Sequence, residues 1–297
     1  MKRVLLTGAT GLIGKYAIQP LIDEGFEVFA VSSKEQTPQN GIRWIEADLL
    51  NFSSIGEIFE TIKPQHLLHF AWDTTPGSYL ESNLNFEWVL ASLEMLKQFN
   101  LHGGKRAVFA GTCFEYEFQD EPLKEDDKLN PTSTYAKCKN YLNQVATLYS
   151  ETNNISFGWG RIFYVYGKGE QEKRLFPYVI NSLKNDEEIV ISSGELIKDY
   201  IFAADIAAGF VKFLDTNVCG CVNICTGNPI KIKEIVSLIA SKLGKEHLVK
   251  FDYACSNQPP IIIGDNSRLT NEVRYKNFYT LNSALDLIIE ENQDEQM

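Results

Sequence analysis

Tyr135 and Lys139 stand four residues apart in "STYAKCKNYLNQVATLYSE", a stretch that reads as one long helix. Four residues is about one helical turn, so the two side chains share a face. An ammonium beside a phenol lowers the phenol's pKa. A phenol so placed passes a proton to or from a substrate oxygen while hydride moves at the neighbouring carbon. Tyr164 and Lys168 repeat the spacing, but Gly167 lies between them in a strand-to-loop segment. That second pair is not expected to present both groups together.

A second group of residues could hold phosphates. Gly8, Gly11 and Gly14 follow the apolar run in "RVLLTG" and open a helical segment. The first glycine permits a tight turn and the second lets a pyrophosphate approach the backbone. The third lets the helix pack against the strand. The helix N-terminus adds free N–H groups and a partial positive charge. Strand, turn and helix in this order predict a dinucleotide site, with Thr10, Leu12 and Ile13 in the same turn.

The elements that must carry these groups alternate. "RVLLTG", "EVFAVSS", "IRWIEADLL", "QHLLHFAW", "RAVFAGT" and "ISFGWGRIFYVYG" each hold a strand, with helical segments between most of them. Pro20 should kink the first helix or mark its boundary. The alternation predicts an α/β fold, a doubly wound parallel sheet of Rossmann type. After Gly167 the elements become short and mixed. Residues 1–166 are therefore expected to form the dinucleotide domain. Residues 167–297 are expected to form a smaller lobe, interleaved with the first, closing over the carboxyl edge of the sheet.

Composition narrows the partners. The net charge is -11 and no basic run occurs, which argues against nucleic acid and anionic membranes. No apolar stretch reaches the roughly 18 residues of a membrane span, so a cytoplasmic protein is expected. Cysteines 113, 138, 219, 221, 225 and 255 lack zinc-site spacing and read as free thiols in a reducing cytosol. No metal site is expected. The tail "EENQDEQM" reads as frayed.

"TGATGLIG", Asp48–Leu49, "HFAW", "YAKCK" and "RIFYVYG", in that order, resemble the extended short-chain dehydrogenase/reductases. The likeness is to the nucleotide-sugar epimerase, dehydratase and reductase branch, and it runs nearly end to end. It implies a third catalytic group, Thr112, hydrogen-bonded to the same substrate oxygen as Tyr135. It also lets Lys139 hold the cofactor ribose and puts Asp48 and Leu49 by the adenine. NAD-dependent relatives end the second strand in an Asp. Here Ser32, Ser33 and Lys34 stand there, and hydroxyls with an ammonium can hold a 2′-phosphate. NADP is thus the expected cofactor, with NAD second.

The resemblance also outlines a substrate side. Phe70, Ala71, Trp72, Asp73 and Thr74 face nicotinamide and sugar, and Ile162 and Phe163 border the nicotinamide. Trp72 either stacks on a sugar face or fills the core. Tyr164 replaces an Asn used on substrate phosphates, Lys198 an Arg that clamps the diphosphate, and Arg174 is a possible compensation. Dehydratases of the branch carry an acidic pair after the Thr; Cys113 and Phe114 stand there instead, which disfavours that chemistry. Cys113 is either an epimerising base or an inert packed thiol. The expectation is an NADPH-dependent reductase of a nucleotide-diphosphate-linked 4-keto-deoxysugar. The alternatives are an NAD-dependent C4 epimerase and, remotely, a non-catalytic dinucleotide-sensing scaffold. A homodimer is expected through "NFEWVLASLEMLKQF" and the Tyr135 helix.

Overall fold

The structure, a computed structural model, describes residues 2–252 and 259–294. β1 (Lys2–Thr7) buries Val4, Leu5 and Leu6, so both its faces are covered, as in a central parallel strand. There follow α1 (Gly14–Asp23), β2 (Phe26–Ser32), β3 (Ile42–Glu46), α2 (Phe52–Ile62), β4 (His66–His69) and α3 (Leu84–Leu101). Next come β5 (Arg106–Thr112), α4 (Thr134–Thr152), β6 (Ser156–Ile162), β7 (Tyr164–Tyr166) and α5 (Leu175–Lys184). The chain continues through β8 (Ile189–Ile191), β9 (Ile197–Lys198), β10 (Tyr200–Phe202), α6 (Ala203–Leu214) and β11 (Gly220–Ile224). Last are β12 (Ile230–Lys231), α7 (Ile232–Leu243), β13 (Val249–Phe251), β14 (Ile261–Ile262), α8 (Ser267–Asn271) and α9 (Leu281–Asp294).

Seven strands form one sheet in the order β11-β6-β5-β4-β1-β2-β3, and each neighbouring pair is parallel. The order reverses between β1 and β4. Connections leave these neighbours in opposite directions, which opens a crevice at their carboxyl ends. The two-residue period of β1 sends Val4 and Leu6 to one layer, with Leu21 of α1 and Phe210 of α6. Leu5 enters the other layer, with Phe59 of α2, Met95 of α3 and Leu142 of α4. The expected doubly wound parallel sheet is therefore present.

The second half divides its elements. β11 and α6 return to the sheet and its first layer. α5, α7 and α9 enclose a separate core with Ile189, Ile191 and Phe202. The expected sixth strand is two: Phe163 N–H still bonds Ile224 O, but Tyr164 N–H turns to Asp199 O and β7 pairs with β10. Pro20 lies inside α1, which runs three residues beyond it to Asp23. α9 takes in the first five residues of the tail, to Asp294. Cys255 and residues 295–297 lie outside the described residues; the other five cysteines carry free thiols. Among the described residues, no helix is long and apolar enough to cross a membrane.

Candidate active site

A cavity of about 550 Å³ opens at the carboxyl edge, where the sheet order reverses. The glycine turn forms its floor. Gly8 has φ +68°, and a Cβ there would lie 2.7 Å from Ala71 N. A Cβ on Gly14 would lie 2.0 Å from Gly8 O, so only glycine lets α1 start this close to β1. No side chain caps the N-terminus of α1, and its first turn contains no acidic residue. The positive end of the helix thus suits an anionic pyrophosphate. The residues fit a dinucleotide here.

A buried hydrogen-bond chain sets the loop beside that turn. Ser92 Oγ donates to Trp88 O at 2.6 Å, so it accepts from His69 Nε2 at 2.9 Å. His69 Nδ1 then accepts from Thr7 Oγ1 at 2.6 Å, and Thr7 Oγ1 accepts from Ala71 N–H at 3.3 Å. Burial, helped by the Lys139 charge, pushes His69 down to about 3, so the ring stays neutral. The ends of β1 and β4 are thereby tied together behind Phe70 and Ala71.

The opposite wall carries Thr112, Tyr135 and Lys139, all buried and all lining the cavity. Thr112 ends β5. Ser133 Oγ caps α4 by accepting Ala136 N–H at 3.2 Å, which fixes Tyr135 in the first turn. Lys139 follows one turn later. Its Nζ donates to Ala110 O at 2.9 Å and lies 3.6 Å from the Trp72 ring centroid. Burial pushes the Tyr135 phenol up, with Tyr79 adding to the rise and a hydrogen bond with Thr112 opposing it. Burial also pushes Lys139 down to about 7, against the Glu115 charge. The expected lowering of the phenol by Lys139 is not found: desolvation dominates both groups.

Most of the expected residues meet in this cavity. Gly8, Thr10, Gly11, Leu12, Ile13, Gly14, Phe70, Ala71, Trp72, Asp73 and Thr74 line it, as do Cys113, Phe114, Ile162, Phe163, Tyr164 and Arg174. Trp72 offers the ring face to Lys139 and its Nε1 to Asn85 Oδ1 at 2.8 Å. Asp73 turns back on its own loop, accepting from Thr75 N–H and Oγ1. Burial raises the Cys113 thiol, the inert form of a packed cysteine. Ser32, Ser33, Lys34, Asp48 and Leu49 are not in the cavity wall; Ser32 ends β2, and the others follow β2 and β3 along the same edge. Ser32 Oγ accepts from Lys34 N–H and Gln36 Nε2, both at 3.2 Å. Asp48 Oδ1 accepts from Leu50 N–H at 2.9 Å.

Lys198 corrects the expectation of a diphosphate clamp. It is buried behind the wall rather than in it, with its Nζ 5.5 Å from the Tyr164 ring and donating to Pro259 O at 2.6 Å. The Tyr164–Lys168 spacing likewise forms no helical pair, since Tyr164 belongs to β7 and Lys168 to the loop beyond it. Sequence reasoning missed Tyr79, Glu170 and Gln171 of the wall. The Tyr79 ring lies 5.0 Å from that of Tyr135, and the Arg174 guanidinium lies 5.5 Å from Tyr79. Burial raises the Glu170 carboxyl to about 8, with Arg174 opposing. The one available signal for Tyr79 was an aromatic in the loop after a strand at the binding edge.

A phenol and an amine on the wall facing the glycine turn are groups of the kind that proton transfer beside a hydride-accepting carbon needs. The model of the NAD dependent epimerase/dehydratase family matches residues 4–225, and the chain belongs to that family. The dTDP-4-dehydro-6-deoxyglucose reductase of Escherichia coli is 28% identical, with 96% of each chain covered. The dTDP-6-deoxy-L-talose 4-dehydrogenase (NAD(+)) of Aggregatibacter actinomycetemcomitans is 24% identical, covering 78% of this chain and 87% of that one. The structure of Thermus thermophilus UDP-glucose 4-epimerase in complex with NAD is similar with a TM-score of 0.86 at 20% identity. That match covers 98% of this chain and 99% of the other, and it is a likeness of fold.

Proposed function

We propose that this protein is an NADPH-dependent reductase of a nucleotide-diphosphate-linked 4-keto-deoxysugar. The observation that carries this is the placement of Thr112, Tyr135 and Lys139 on one wall of the cavity whose floor is the glycine turn; a protonated phenol there can give its proton to a ketone oxygen. Bound NADPH supplies the hydride for the keto carbon. Tyr135 Oη donates its proton to the substrate oxygen, and Thr112 Oγ1 hydrogen-bonds that oxygen. Lys139, when protonated, offsets the phenolate that results and holds the cofactor ribose. Two curated relatives support the position of the reaction, since both are named for C4 chemistry on a dTDP-linked deoxysugar.

The glycine turn and the start of α1 hold the pyrophosphate. Asp48 and Leu49 border the adenine. Ser32, Ser33 and Lys34 take the 2′-phosphate; no carboxylate stands among these three to repel it. On the substrate side, Phe114, Phe163 and Tyr164 form an apolar wall, and Arg174 takes the diphosphate in place of Lys198. Asp73 and Thr74 lie near the sugar. Residues 1–166 thus form the dinucleotide domain, and 167–297, interleaved with it, complete the nucleotide-sugar lobe. The enzyme works in the cytoplasm as a homodimer. A C4 epimerase is the second reading, favoured by the NAD held by the Thermus enzyme. Mass spectrometry of the product separates the two. A reductase with NADPH adds two hydrogens to a nucleotide-linked 4-keto-6-deoxysugar; no such mass gain, together with a product of unchanged mass inverted at C4 from a nucleotide-linked 4-hydroxy sugar, overturns the reductase reading.

A further inference from the structure

We propose that Glu115 is a positioning residue, whose carboxylate fixes the backbone of Thr112 and places a buried negative charge near the Tyr135–Lys139 pair. This rests on the roles given above to those three residues. Glu115 is fully buried. Its Oε1 accepts from Thr112 N–H at 2.9 Å and Trp159 Nε1 at 3.0 Å, and its Oε2 accepts from Arg161 Nε at 2.9 Å. Arg161 is itself anchored: its Nη1 donates to Tyr116 Oη at 2.9 Å and Glu125 O at 3.0 Å. Tyr116 Oη donates in turn to Asn223 Oδ1 at 2.6 Å. Gly111 makes room, since a Cβ there would lie 2.1 Å from Trp159 Nε1 and 2.7 Å from Glu115 Oε1. Thr112 therefore rests on a carboxylate held from β6.

Stability alone does not account for this pair. A buried ion pair is commonly no better than apolar residues of the same volume. Geometry also brings the charge near the site: Glu115 Oε1 holds Thr112 N–H, two residues along β5 from Ala110, whose O accepts from Lys139 Nζ. Around Lys139 stand neutral His69 and the Trp72 ring from the β4 side, Ala110 O from β5 and Tyr135 from its own helix. Glu115 is the carboxylate whose charge raises Lys139 against its burial.

Trp72 provides a test that needs no substrate, because Lys139 Nζ lies 3.6 Å from its ring and the ammonium perturbs indole emission. The tryptophan fluorescence of the free protein is titrated with pH, with Trp72→Phe as the blank. Wild type is expected to show a Trp72-dependent midpoint at about 7. Glu115→Gln keeps the shape and removes the charge, and should move the midpoint down by about 1 pH unit. Glu115→Asp should hold it near wild type. If Glu115→Gln fails to fold, Glu115→Gln with Arg161→Gln removes the stranded guanidinium and is titrated in the same way, again with a lowered midpoint expected. A midpoint equal to wild type in the folded Gln variant overturns the proposal. Because no substrate is used, this outcome is separate from that of the product-mass experiment.

Discussion

Burial sets the protonation of both groups proposed to react. It holds the proton on Tyr135 and loosens the one on Lys139, which falls from 10.5 to about 7. Between those two values the unfolded chain binds a proton at Lys139 that the folded chain does not. The contribution of Lys139 to stability therefore rises with pH across that window. Replacing Lys139 by Met should stabilise the protein at pH 7 by about 1–2 kcal/mol in denaturant unfolding while removing turnover. Tyr135→Phe should leave dinucleotide binding in place and cost about 10²–10⁴ in turnover, read by initial rates. Tyr135 and Lys139 were legible because their spacing is local. Glu115 and His69 were not: their partners Arg161, Trp159, Thr7 and Ser92 come from other strands and helices, and no short-range pattern marks them.

Elements place these residues with little tolerance at the first turn. Gly8 combines a positive φ with backbone atoms of the β4 loop within van der Waals distance of any Cβ. Gly8→Ala should lower stability by about 2–4 kcal/mol and weaken dinucleotide binding together, measured by thermal unfolding and by fluorescence titration. The long strands of the sheet were legible as apolar runs, and α4 from its periodicity. β7, β9, β10, β12 and β14 were not, since two or three residues carry no period. Their pairings decide where β6 stops and where Lys198 goes. The resemblance puts Lys198 in place of a clamping Arg, but β9 pairs with both β12 and β14, and the side chain ends on Pro259 O.

The whole molecule leaves an apolar surface on α3 and α4. Phe86, Leu90 and Leu101 of α3, and Tyr141, Val145 and Leu148 of α4, are exposed at helical spacing. A patch of this kind marks an interface. The homodimer proposed above should therefore bury it, and Leu90→Glu with Leu148→Glu should halve the mass seen by light scattering; a wild-type monomer would remove the dimer. From sequence, these faces looked the same whether they packed inward or onto a second copy. The central claim concerns the cavity at the switch point. The most direct measurement is the rate of NADPH oxidation with a panel of nucleotide-linked 4-keto-6-deoxysugars differing in base. The account predicts oxidation with one of them that is lost in Tyr135→Phe. No oxidation with any, or an undiminished rate in Tyr135→Phe, would contradict it.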